Sequence, residues 1–474
     1  MRSDYSRQGA SASPIDRMNS SPTPPLLQQA ADRAQRYLRD LPERHVAPLP
    51  SALEALKGFK RALPDSPTAP EAVLAELDEI GSPATVASGG PRYFGFVVGG
   101  SLPVTTAAHW LAAAWDQNAA MKALSPVAAC LEEVTMGWLI ELFGLPAGCG
   151  AGFVSGASQA NFTALAAARH SILARQGWDV EARGLYGAPE LKVVVSDEIH
   201  ATVLKALSLL GLGRERLTRV PVDGQGRLRI DALPLLDAST LVCVQAGNVN
   251  TGSSDPFAEI SARAKDAGAW VHVDGAFGLW AAASPAKRGV VDGVGKADSW
   301  AVDAHKWLNT PYDGAIAFCR DPGSMRAAMS LNAAYLMVSD EREPCHYVPE
   351  LSRRARGVEI WAALRSLGRL GVAELIERSC RHASRLGEGL RSAGFTVLNE
   401  VVLNQVLVSF GDDEATRRVI AGIQEEGTLW CGGTVWQGHT AMRISVSSWA
   451  TSDADVERCI AAIVAIERGL TVSH

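Results

Sequence analysis

A lysine lies among apolar residues in the stretch SWAVDAHKWLN, which runs from Ser299 to Asn309. The titratable side chains of this stretch are Asp303, His305 and Lys306. Because isolated burial of an ammonium group is costly, Lys306 either reaches solvent along its apolar stem or is held covalently as an imine. The second alternative is the chemistry by which an enzyme lysine binds an aldehyde. Residues elsewhere in the sequence distinguish between a solvent-reaching lysine and a covalently bound one.

A phosphate-binding turn is indicated upstream, in GFVSGASQANFTALAAARH. A short apolar strand leads there into a Gly/Ser turn and then into an alanine-rich helix. Ala157 and Ser158 occupy the predicted helix N-terminus, where free backbone N–H groups favour a phosphate dianion. A plain serine N-cap is the alternative for this motif alone.

Two further candidates follow predicted strands. His200, in VVVSDEIHATVLKAL, stands at the first turn of a helix, where it either caps the helix or offers a flat ring for stacking. Asp274 ends the buried strand of WVHVDGAFGLW, at the edge where open α/β sheets bind their ligands. A buried carboxylate without a partner is costly, so we expect a cation beside Asp274, with a turn cap as the alternative.

Together these residues meet the requirements of one cofactor, pyridoxal 5'-phosphate. Its aldehyde needs a lysine, its ring nitrogen an acid, its phosphate a helix N-terminus and its ring face a cover. Lys306, Asp274, the turn at Ala157 and Ser158, and His200 supply these groups in one chain. The sequence therefore predicts a pyridoxal phosphate site in which Lys306 carries the cofactor as an imine.

The predicted secondary structure places these residues at the ends of parallel strands. From about residue 150, β-rich runs alternate with helical ones, which indicates βαβ units. The runs are LKVVVSD, TLVCVQAG, AWVHVDG and GAIAFCR. Upstream, helices are predicted from Leu26 to Leu41 and in SALEALKGFKRAL and APEAVLAELDEI. Downstream, we expect helices near 355–370 and 373–392, strands in FTVLNEVVLNQVLVSF and AMRISVSS, and a closing helix in DADVERCIAAIVAIER.

Composition excludes several classes of function. Apolar residues make up 47% and charged residues 20% of the chain, and the formal net charge is −6, so no basic surface for nucleic acid or an anionic membrane is expected. No apolar run reaches the length of about 18 residues that a transmembrane helix needs. The 8 cysteines and 10 histidines lack the spacing of metal ligands or of a disulfide framework, so no metal site is expected.

The chain resembles the group II pyridoxal-phosphate-dependent decarboxylases, which include the glutamate and aromatic amino acid decarboxylases. SGASQAN, SDEIHATV, HVDGAFG and DAHKWLN occur in the family's order and at similar spacing, and the likeness covers roughly residues 30 to 465. It implies a PLP-dependent transferase-like α/β fold (fold type I), whose large domain has a mainly parallel seven-stranded sheet. It also implies a homodimer, because the family's N-terminal segment wraps around the second subunit.

The expected organisation has four parts: a disordered tail (1–25), an N-terminal helical segment that packs on the partner subunit (26–105), a PLP-binding large domain (106–345) and a small C-terminal α+β domain (346–474). Residues 1–25 are rich in Ser and Pro and lack an apolar core, so a signal peptide is not predicted. A cytoplasmic enzyme is expected.

The resemblance implies a role for each matching residue. Lys306 would form the imine, His200 would stack on the pyridine ring and Asp274 would keep the ring nitrogen protonated. Ala276 would lie beneath the ring. The residues around the phosphate would be Ala157, Ser158, Asp303 and His305. The departures from the family are Asn248 and Asn250, which stand where it often has threonines, and Gln159, where it often has glutamate.

Tyr335, in LNAAYLMVSD, resembles the family's catalytic tyrosine and would deliver a proton to the α-carbon after CO2 leaves. Related aldehyde synthases tend to have phenylalanine there, so a tyrosine favours simple decarboxylation; a packing role is the alternative. Carbon–carbon cleavage, as in sphingosine phosphate lyases, and aldehyde synthesis are alternative reactions on this scaffold. A non-catalytic binding protein that keeps the fold is a further alternative, against which the intact Lys306, Asp274 and His200 argue.

The substrate class is predicted from RYFGFVVGGS, which indicates an apolar pocket wall. Its apolar members are Phe94, Phe96, Val97 and Val98. We therefore expect a hydrophobic or aromatic amino acid in preference to glutamate. Arg353, Arg354 and Arg356 could bind an acidic substrate, but we interpret them as an exposed basic turn.

Overall fold

A seven-stranded sheet forms the centre of the large domain in this computed structural model, which describes residues 23–330 and 342–472. The strand order is β1–β7–β6–β5–β4–β2–β3. Strand β7 runs antiparallel to both neighbours, and the other pairs in the sheet are parallel. The strands are β1 (Gly150–Val154), β2 (Lys192–Ser196), β3 (Leu217–Val220), β4 (Thr240–Gln245), β5 (Trp270–Asp274), β6 (Ser299–Asp303) and β7 (Ala315–Cys319).

Both faces of this sheet are buried, which explains why its strands have nearly continuous apolar sequences. Alternate residues of a strand point to opposite faces. Val242 and Val244 accordingly belong to one apolar cluster, whereas Leu241 and Cys243 belong to the other. The core therefore lies in two layers, each between the sheet and the helices that cover it.

Helices surround the sheet and form the N-terminal segment. In the described residues they are α1 (Thr23–Asp40), α2 (Pro50–Ala55), α3 (Pro70–Glu76), α4 (Ser82–Ala84), α5 (Pro103–Trp115), α6 (Pro126–Phe143), α7 (Ala157–Ala174), α8 (Val180–Arg183), α9 (Ala201–Leu209), α10 (Phe257–Ala267), α11 (Pro322–Met329), α12 (Gly357–Ser392), α13 (Asp413–Glu426) and α14 (Asp453–Val472). No helix within these residues has the length and apolar character to cross a membrane.

The C-terminal domain contains an antiparallel sheet in the order β10–β11–β9–β8. Its strands are β8 (Thr396–Val397), β9 (Gln405–Ser409), β10 (Gly432–Trp436) and β11 (His439–Ser445). Apolar residues of α12, α13 and α14 pack on it. The expected architecture, with a mainly parallel large sheet, a helical N-terminal segment and a small α+β domain, is confirmed; the expected domain bounds stay predictions.

Several element boundaries differ from those that the sequence predicts. The first helix begins at Thr23 instead of Leu26, and residues 1–22 of the expected tail lie outside the described residues. The two helices expected near 355–370 and 373–392 form the single span α12, interrupted at Gly368, whose φ of 59° is favourable for glycine. Strands β3 and β6 were not predicted as strands.

The segment from Arg92 to Leu102 connects the two domains and covers the predicted lysine. Phe94 N donates to Trp430 O in the C-terminal domain (2.9 Å), and Leu102 N donates to Asn309 O in the large domain (2.8 Å). A Cβ atom at Gly99 would lie 1.8 Å from the carbonyl oxygen of Lys306, so only glycine allows this approach. Residues 92–102 therefore pack against the backbone of Lys306.

Candidate active site

The carboxyl ends of the parallel strands bring the predicted residues to one edge of the sheet. Asp274 and Asp303 are the last residues of the adjacent strands β5 and β6. The turn that starts α7 follows β1, and His200 follows β2 as the N-cap of α9. Residues predicted from motifs far apart in the sequence thus lie at the edge where such sheets bind ligands.

Lys306 forms an ion pair that the sequence analysis did not anticipate. Its Nζ lies 3.0 Å from Oδ2 of Asp303, and the two side chains are 18% and 2% exposed. The apolar surroundings of Lys306 therefore contain a carboxylate that compensates its charge. The same carboxylate accepts a hydrogen bond from the backbone N–H of Ala157 (2.6 Å), which ties the lysine to the N-terminus of α7.

His305 stands between this carboxylate and the following loop. Its Nδ1 accepts from the backbone N–H of Gly314 (3.2 Å), and its Nε2 lies 3.7 Å from Oδ1 of Asp303. Burial lowers the pKa of His305, and Asp303 opposes that shift. The neutral ring consequently carries its proton on Nε2, which faces the turn at the start of α7.

The turn before α7 has the form of an anion site. Gln159 Oε1 accepts from the backbone N–H (3.0 Å) and hydroxyl (2.7 Å) of Ser155, which fixes the turn. A Cβ atom at Gly156 would lie 3.4 Å from Cε1 of His305, so the turn closely approaches the lysine segment. Ser158 is exposed at the helix N-terminus. The backbone N–H and the hydroxyl of Ser158 are donors that fit a phosphate group.

Asp274 is a buried carboxylate that lacks a cation within salt-bridge distance in the described part of the chain. It is 5% exposed; its Oδ1 accepts from the backbone N–H of Ala276 (3.2 Å), and its Oδ2 lies 3.5 Å from the hydroxyl oxygen of Thr202. Such a group favours a cationic ligand, and a protonated pyridine nitrogen fits this requirement. The residues present therefore fit pyridoxal phosphate.

The His200 ring lies close to Asp274 through Thr202, whose Oγ1 is 2.8 Å from His200 Nδ1. Burial lowers the pKa of His200, and the Asp274 carboxylate opposes this effect. The imidazole is thus favoured in its neutral form, which is suited to stacking on an aromatic ring.

Asn248 and Asn250 have contacts within their own loop and with the C-terminal domain. The side-chain oxygen of Asn248 accepts from the backbone N–H groups of Asn250 (2.8 Å) and Thr251 (3.3 Å), which forms an Asx turn. Asn250 Oδ1 accepts from the hydroxyl of Thr434 (3.0 Å) and lies 3.5 Å from Arg443. Asn248 therefore shapes its loop, and Asn250 joins this loop to the C-terminal domain.

Arg443 is a site residue that the sequence analysis missed. It lies on β11, and burial lowers its pKa. Its charge also lowers the pKa of His200. Among the described residues it has no carboxylate within salt-bridge distance. The signal in the sequence was a single arginine inside the apolar strand AMRISVSS.

The interpretation of Arg353, Arg354 and Arg356 as an exposed basic turn is wrong. Arg353 is 7% exposed. The three guanidinium groups pair with Glu132 (2.7 Å), Glu359 (2.8 Å) and Asp313 (2.8 Å), respectively. Nearby carboxylates explain the burial, because each compensates an arginine charge.

The apolar wall predicted from RYFGFVVGGS is reduced to one residue. Phe94 and Val97 are each 1% exposed and Val98 is 9% exposed, because they pack into protein cores. Phe96 is 64% exposed, and its ring centroid lies 5.6 Å from that of Trp430. Tyr335 lies outside the described residues, so its predicted role has no structural test.

Comparison with known proteins identifies relatives of the chain. A family model described as "Pyridoxal-dependent decarboxylase conserved domain" matches residues 50–411. Tryptophan decarboxylase 1 of Oryza sativa subsp. japonica is 27% identical over 474 residues, covering 91% of each chain. The acidic amino acid decarboxylase GADL1 of Bos taurus is 29% identical over 325 residues, covering 65% of this chain and 61% of the relative. A crystal structure of Oryza sativa TDC with PLP and tryptamine superimposes with a TM-score of 0.87 at 22% identity, covering 96% of this chain and 99% of the other.

Proposed function

The chain belongs to the pyridoxal-dependent decarboxylase family, and we propose that its substrate is a hydrophobic or aromatic L-amino acid. Its cofactor is pyridoxal 5'-phosphate, and its reaction releases CO2 from an amino acid to leave the amine. The observation that carries the proposed site is the convergence of Lys306, Asp274 and the N-terminus of α7 at one edge of the sheet.

Lys306 is the proposed attachment point of the cofactor. When bound, pyridoxal phosphate withdraws electrons from the α-carbon of the amino acid and so allows its carboxylate to leave. Asp303 holds the Lys306 ammonium in place before attachment, since the two groups are 3.0 Å apart. Asp274 would supply the negative charge that stabilises a protonated ring nitrogen. By the sequence resemblance, Ala276 would lie beneath the ring and His200 would stack on it.

The phosphate contacts in this proposal come from two directions. Ala157 and Ser158 offer backbone N–H groups at the start of α7, and His305 offers its Nε2 proton. Asp303 already accepts the Ala157 N–H, so a bound phosphate and this carboxylate compete for that donor. Asn248 contributes to the site by shaping its loop, and Asn250 by placing Arg443.

Arg443 is the proposed partner of the substrate's carboxylate. It is a half-buried cation without a carboxylate partner among the described residues, and its charge lowers the pKa of His200. An acidic substrate would need a second cation, but arginines 353, 354 and 356 already pair with carboxylates. This supports a substrate with an uncharged side chain.

Phe96 and Trp430 are the proposed contacts of that side chain. The centroids of their rings are 5.6 Å apart, and the ring of Tyr93 stacks on that of Trp430 at 5.1 Å. Aromatic surfaces of this kind favour aromatic or large apolar side chains. The similarity to a tryptophan decarboxylase supports the same substrate class.

Tyr335 is the proposed proton donor to the α-carbon, on the basis of the sequence resemblance alone. Its hydroxyl distinguishes decarboxylation from the aldehyde synthase alternative, in which the family tends to have phenylalanine. A cytoplasmic location likewise stays a prediction of the sequence.

A homodimer is the proposed assembly. The N-terminal segment exposes large apolar side chains that a monomer leaves in water: Leu27, Leu49, Leu53, Leu63, Val73 and Leu77 are 49–92% exposed. Trp110, Leu111 and Trp115 of α5 are 43–55% exposed. Apolar surface of this extent marks an interface. Sedimentation of the cofactor-loaded protein at micromolar concentration should give a dimer, and a fully active monomer would contradict the proposal.

The substrate proposal is tested by measuring CO2 and amine release from single amino acids. We expect turnover with tryptophan, tyrosine, phenylalanine or leucine, and little with glutamate or aspartate. A preference for an acidic amino acid would overturn the substrate class. Lys306→Ala should abolish turnover and covalent attachment, while Lys192→Ala, at a half-exposed lysine paired with Asp237, serves as the control. A borohydride-reduced adduct on another lysine would overturn the attachment point.

A further inference from the structure

A chain of buried hydrogen bonds runs from the interior of the sheet to His200. It joins the side chains of strands β5 and β6 to helices α7 and α9. Its links are Trp270 Nε1 to Ser299 Oγ (3.0 Å), Ser299 Oγ to His272 Nδ1 (2.9 Å), His272 Nε2 to Asn161 Oδ1 (2.9 Å), Asn161 Nδ2 to Thr202 Oγ1 (3.3 Å) and Thr202 Oγ1 to His200 Nδ1 (2.8 Å). Ser299, His272 and Asn161 are each 0% exposed.

The direction of donation along this hydrogen-bond chain is fixed at Trp270, its end inside the sheet. The indole of Trp270 can only donate, so Ser299 accepts from it and has one proton to give. That proton goes to Nδ1 of His272, which leaves the His272 proton on Nε2. Asn161 then accepts through its carbonyl oxygen and donates through its amide nitrogen to Thr202.

The opposite direction satisfies fewer groups. It would place protons from both Trp270 and His272 on Ser299 and leave the Ser299 hydroxyl without an acceptor among the described residues. Burial also lowers the pKa of His272 to about 3, so this ring stays neutral and cannot donate from both nitrogens at working pH. One arrangement of protons is therefore favoured along the chain.

The outer end of the chain determines the protonation of His200. Because Thr202 already accepts from Asn161, its hydroxyl proton is directed to His200 Nδ1, with Asp274 Oδ2 as the longer alternative at 3.5 Å. The backbone N–H of Thr202 also donates to His200 Nδ1 (3.3 Å). With Nδ1 as the acceptor, the neutral ring carries its proton on Nε2, for which the described residues offer no partner.

We propose that Thr202, Asn161 and His272 are positioning residues that hold His200 as the Nε2–H tautomer, with this N–H available to the bound amino acid. The inference rests on the proposed position of His200 over the cofactor. None of the three needs to touch the substrate, since each acts through its neighbour in the chain. If the same residues had only a packing role, substituting them would not change the tautomer of His200.

The first test reads the tautomer directly, by nitrogen NMR of protein labelled with ¹⁵N-histidine, with and without cofactor. His200→Gln assigns the signal. We expect the Nε2–H tautomer in the unaltered protein and a mixture in Thr202→Val, with Thr202→Ser restoring it. Asn161→Asp, which removes the donor to Thr202, should give the same change if Thr202→Val does not fold. A protonated Nδ1 in the unaltered protein would overturn the inference.

The second test measures kcat and KM on an accepted amino acid. Thr202→Val should lower kcat by about tenfold, the worth of one hydrogen bond, with KM changed by less than about threefold. Thr163→Val is the matched control, since this buried hydroxyl on α7 donates only to the carbonyl of Gln159 (2.8 Å). We expect this control to keep its rate and its Nε2–H tautomer.

The two possible failures are distinguishable. If no amino acid loses CO2 in the loaded, unaltered protein, the proposed function fails. The tautomer measurement still tests the role of the hydrogen-bond chain in that case. If His200→Gln loses activity but Thr202→Val keeps both the rate and the Nε2–H tautomer, the positioning inference is overturned and the proposed function stands.

Discussion

The substitution Asp274→Asn separates the stability of the protein from its affinity for the cofactor. It keeps the shape of the side chain and removes its charge. In the cofactor-free protein, Asp274 is 5% exposed and has no cationic partner among the described residues. Its Oδ1 accepts a long hydrogen bond from the backbone N–H of Ala276 (3.2 Å), and its Oδ2 lies 3.5 Å from the hydroxyl oxygen of Thr202. An amide in its place therefore should not destabilise the cofactor-free fold, because burying an unpaired charge is the costlier state.

The effect on the loaded protein has the opposite sign. A charge-assisted hydrogen bond to the ring nitrogen is worth about 1.5–3 kcal/mol, so the dissociation constant of pyridoxal phosphate should rise by about 10- to 150-fold. At cofactor concentrations well above both dissociation constants, the stabilisation of the fold by the cofactor should fall by the same 1.5–3 kcal/mol, approximately.

Urea unfolding and cofactor titration of both proteins, with and without pyridoxal phosphate, measure these quantities. Asp255→Asn is the control: the Asp255 carboxylate accepts from the backbone N–H groups of Leu228 and Gln245 (both 2.7 Å). An amide nitrogen cannot accept a hydrogen bond, so this control should unfold more easily while keeping its cofactor affinity. If Asp274→Asn binds the cofactor as tightly as the unaltered protein, Asp274 is a turn cap and the proposed pairing is refuted.

Further predictions concern the proton donor, the buried ion pair and the response to pH. Tyr335→Phe should lower amine formation by about 10²–10⁴-fold without loss of cofactor binding; amine and aldehyde yields check this, and an unchanged amine rate would place the acid elsewhere. Glu132→Gln leaves the Arg353 charge buried and should lower the free energy of unfolding by about 3–5 kcal/mol, as measured in urea; a loss below about 1 kcal/mol would contradict this. Burial lowers the pKa of His272 to about 3. Below about pH 6.5, this histidine is therefore protonated in the unfolded chain but stays neutral in the folded chain. The free energy of unfolding therefore falls as the pH drops from about 6.5 towards 3, and the loss from this group is about 2 kcal/mol at pH 5. In His272→Gln, the free energy of unfolding should decline less between pH 7 and pH 5.

The sequence predicts the site more completely than it predicts the electrostatic partners inside it. Motifs with fixed spacing place Lys306, Asp274 and His200 at strand ends, because local patterns determine where a strand stops. The partners of buried charges depend on which distant segments meet. Arg353 therefore looked exposed in its basic turn, although Glu132, far away in the sequence, compensates its charge. Arg443 was missed because its importance arises only when β11 approaches His200.

Strand prediction failed for a related reason. The run SWAVD of β6 contains Ala301 and Asp303, residue types that are depleted in strands, and its pairing with β5 and β7 is what makes it a strand. Strand β3 has the mixed sequence LTRV and pairs only with β2, as expected for an edge strand.

The contact between Gly99 and the Lys306 carbonyl has a consequence for recombining this protein with its relatives. Chimaeras are usually joined at loops between domains, and the bend before α5 is such a place. A junction there would bring a foreign segment against the lysine of this chain, where even one added methyl group at position 99 would collide with the backbone. Fragments that exchange substrate preference should therefore carry residues 92–102 together with the loop from Lys306 to Asn309. These two segments are distant in the sequence but in contact in the fold, so they have to be exchanged together.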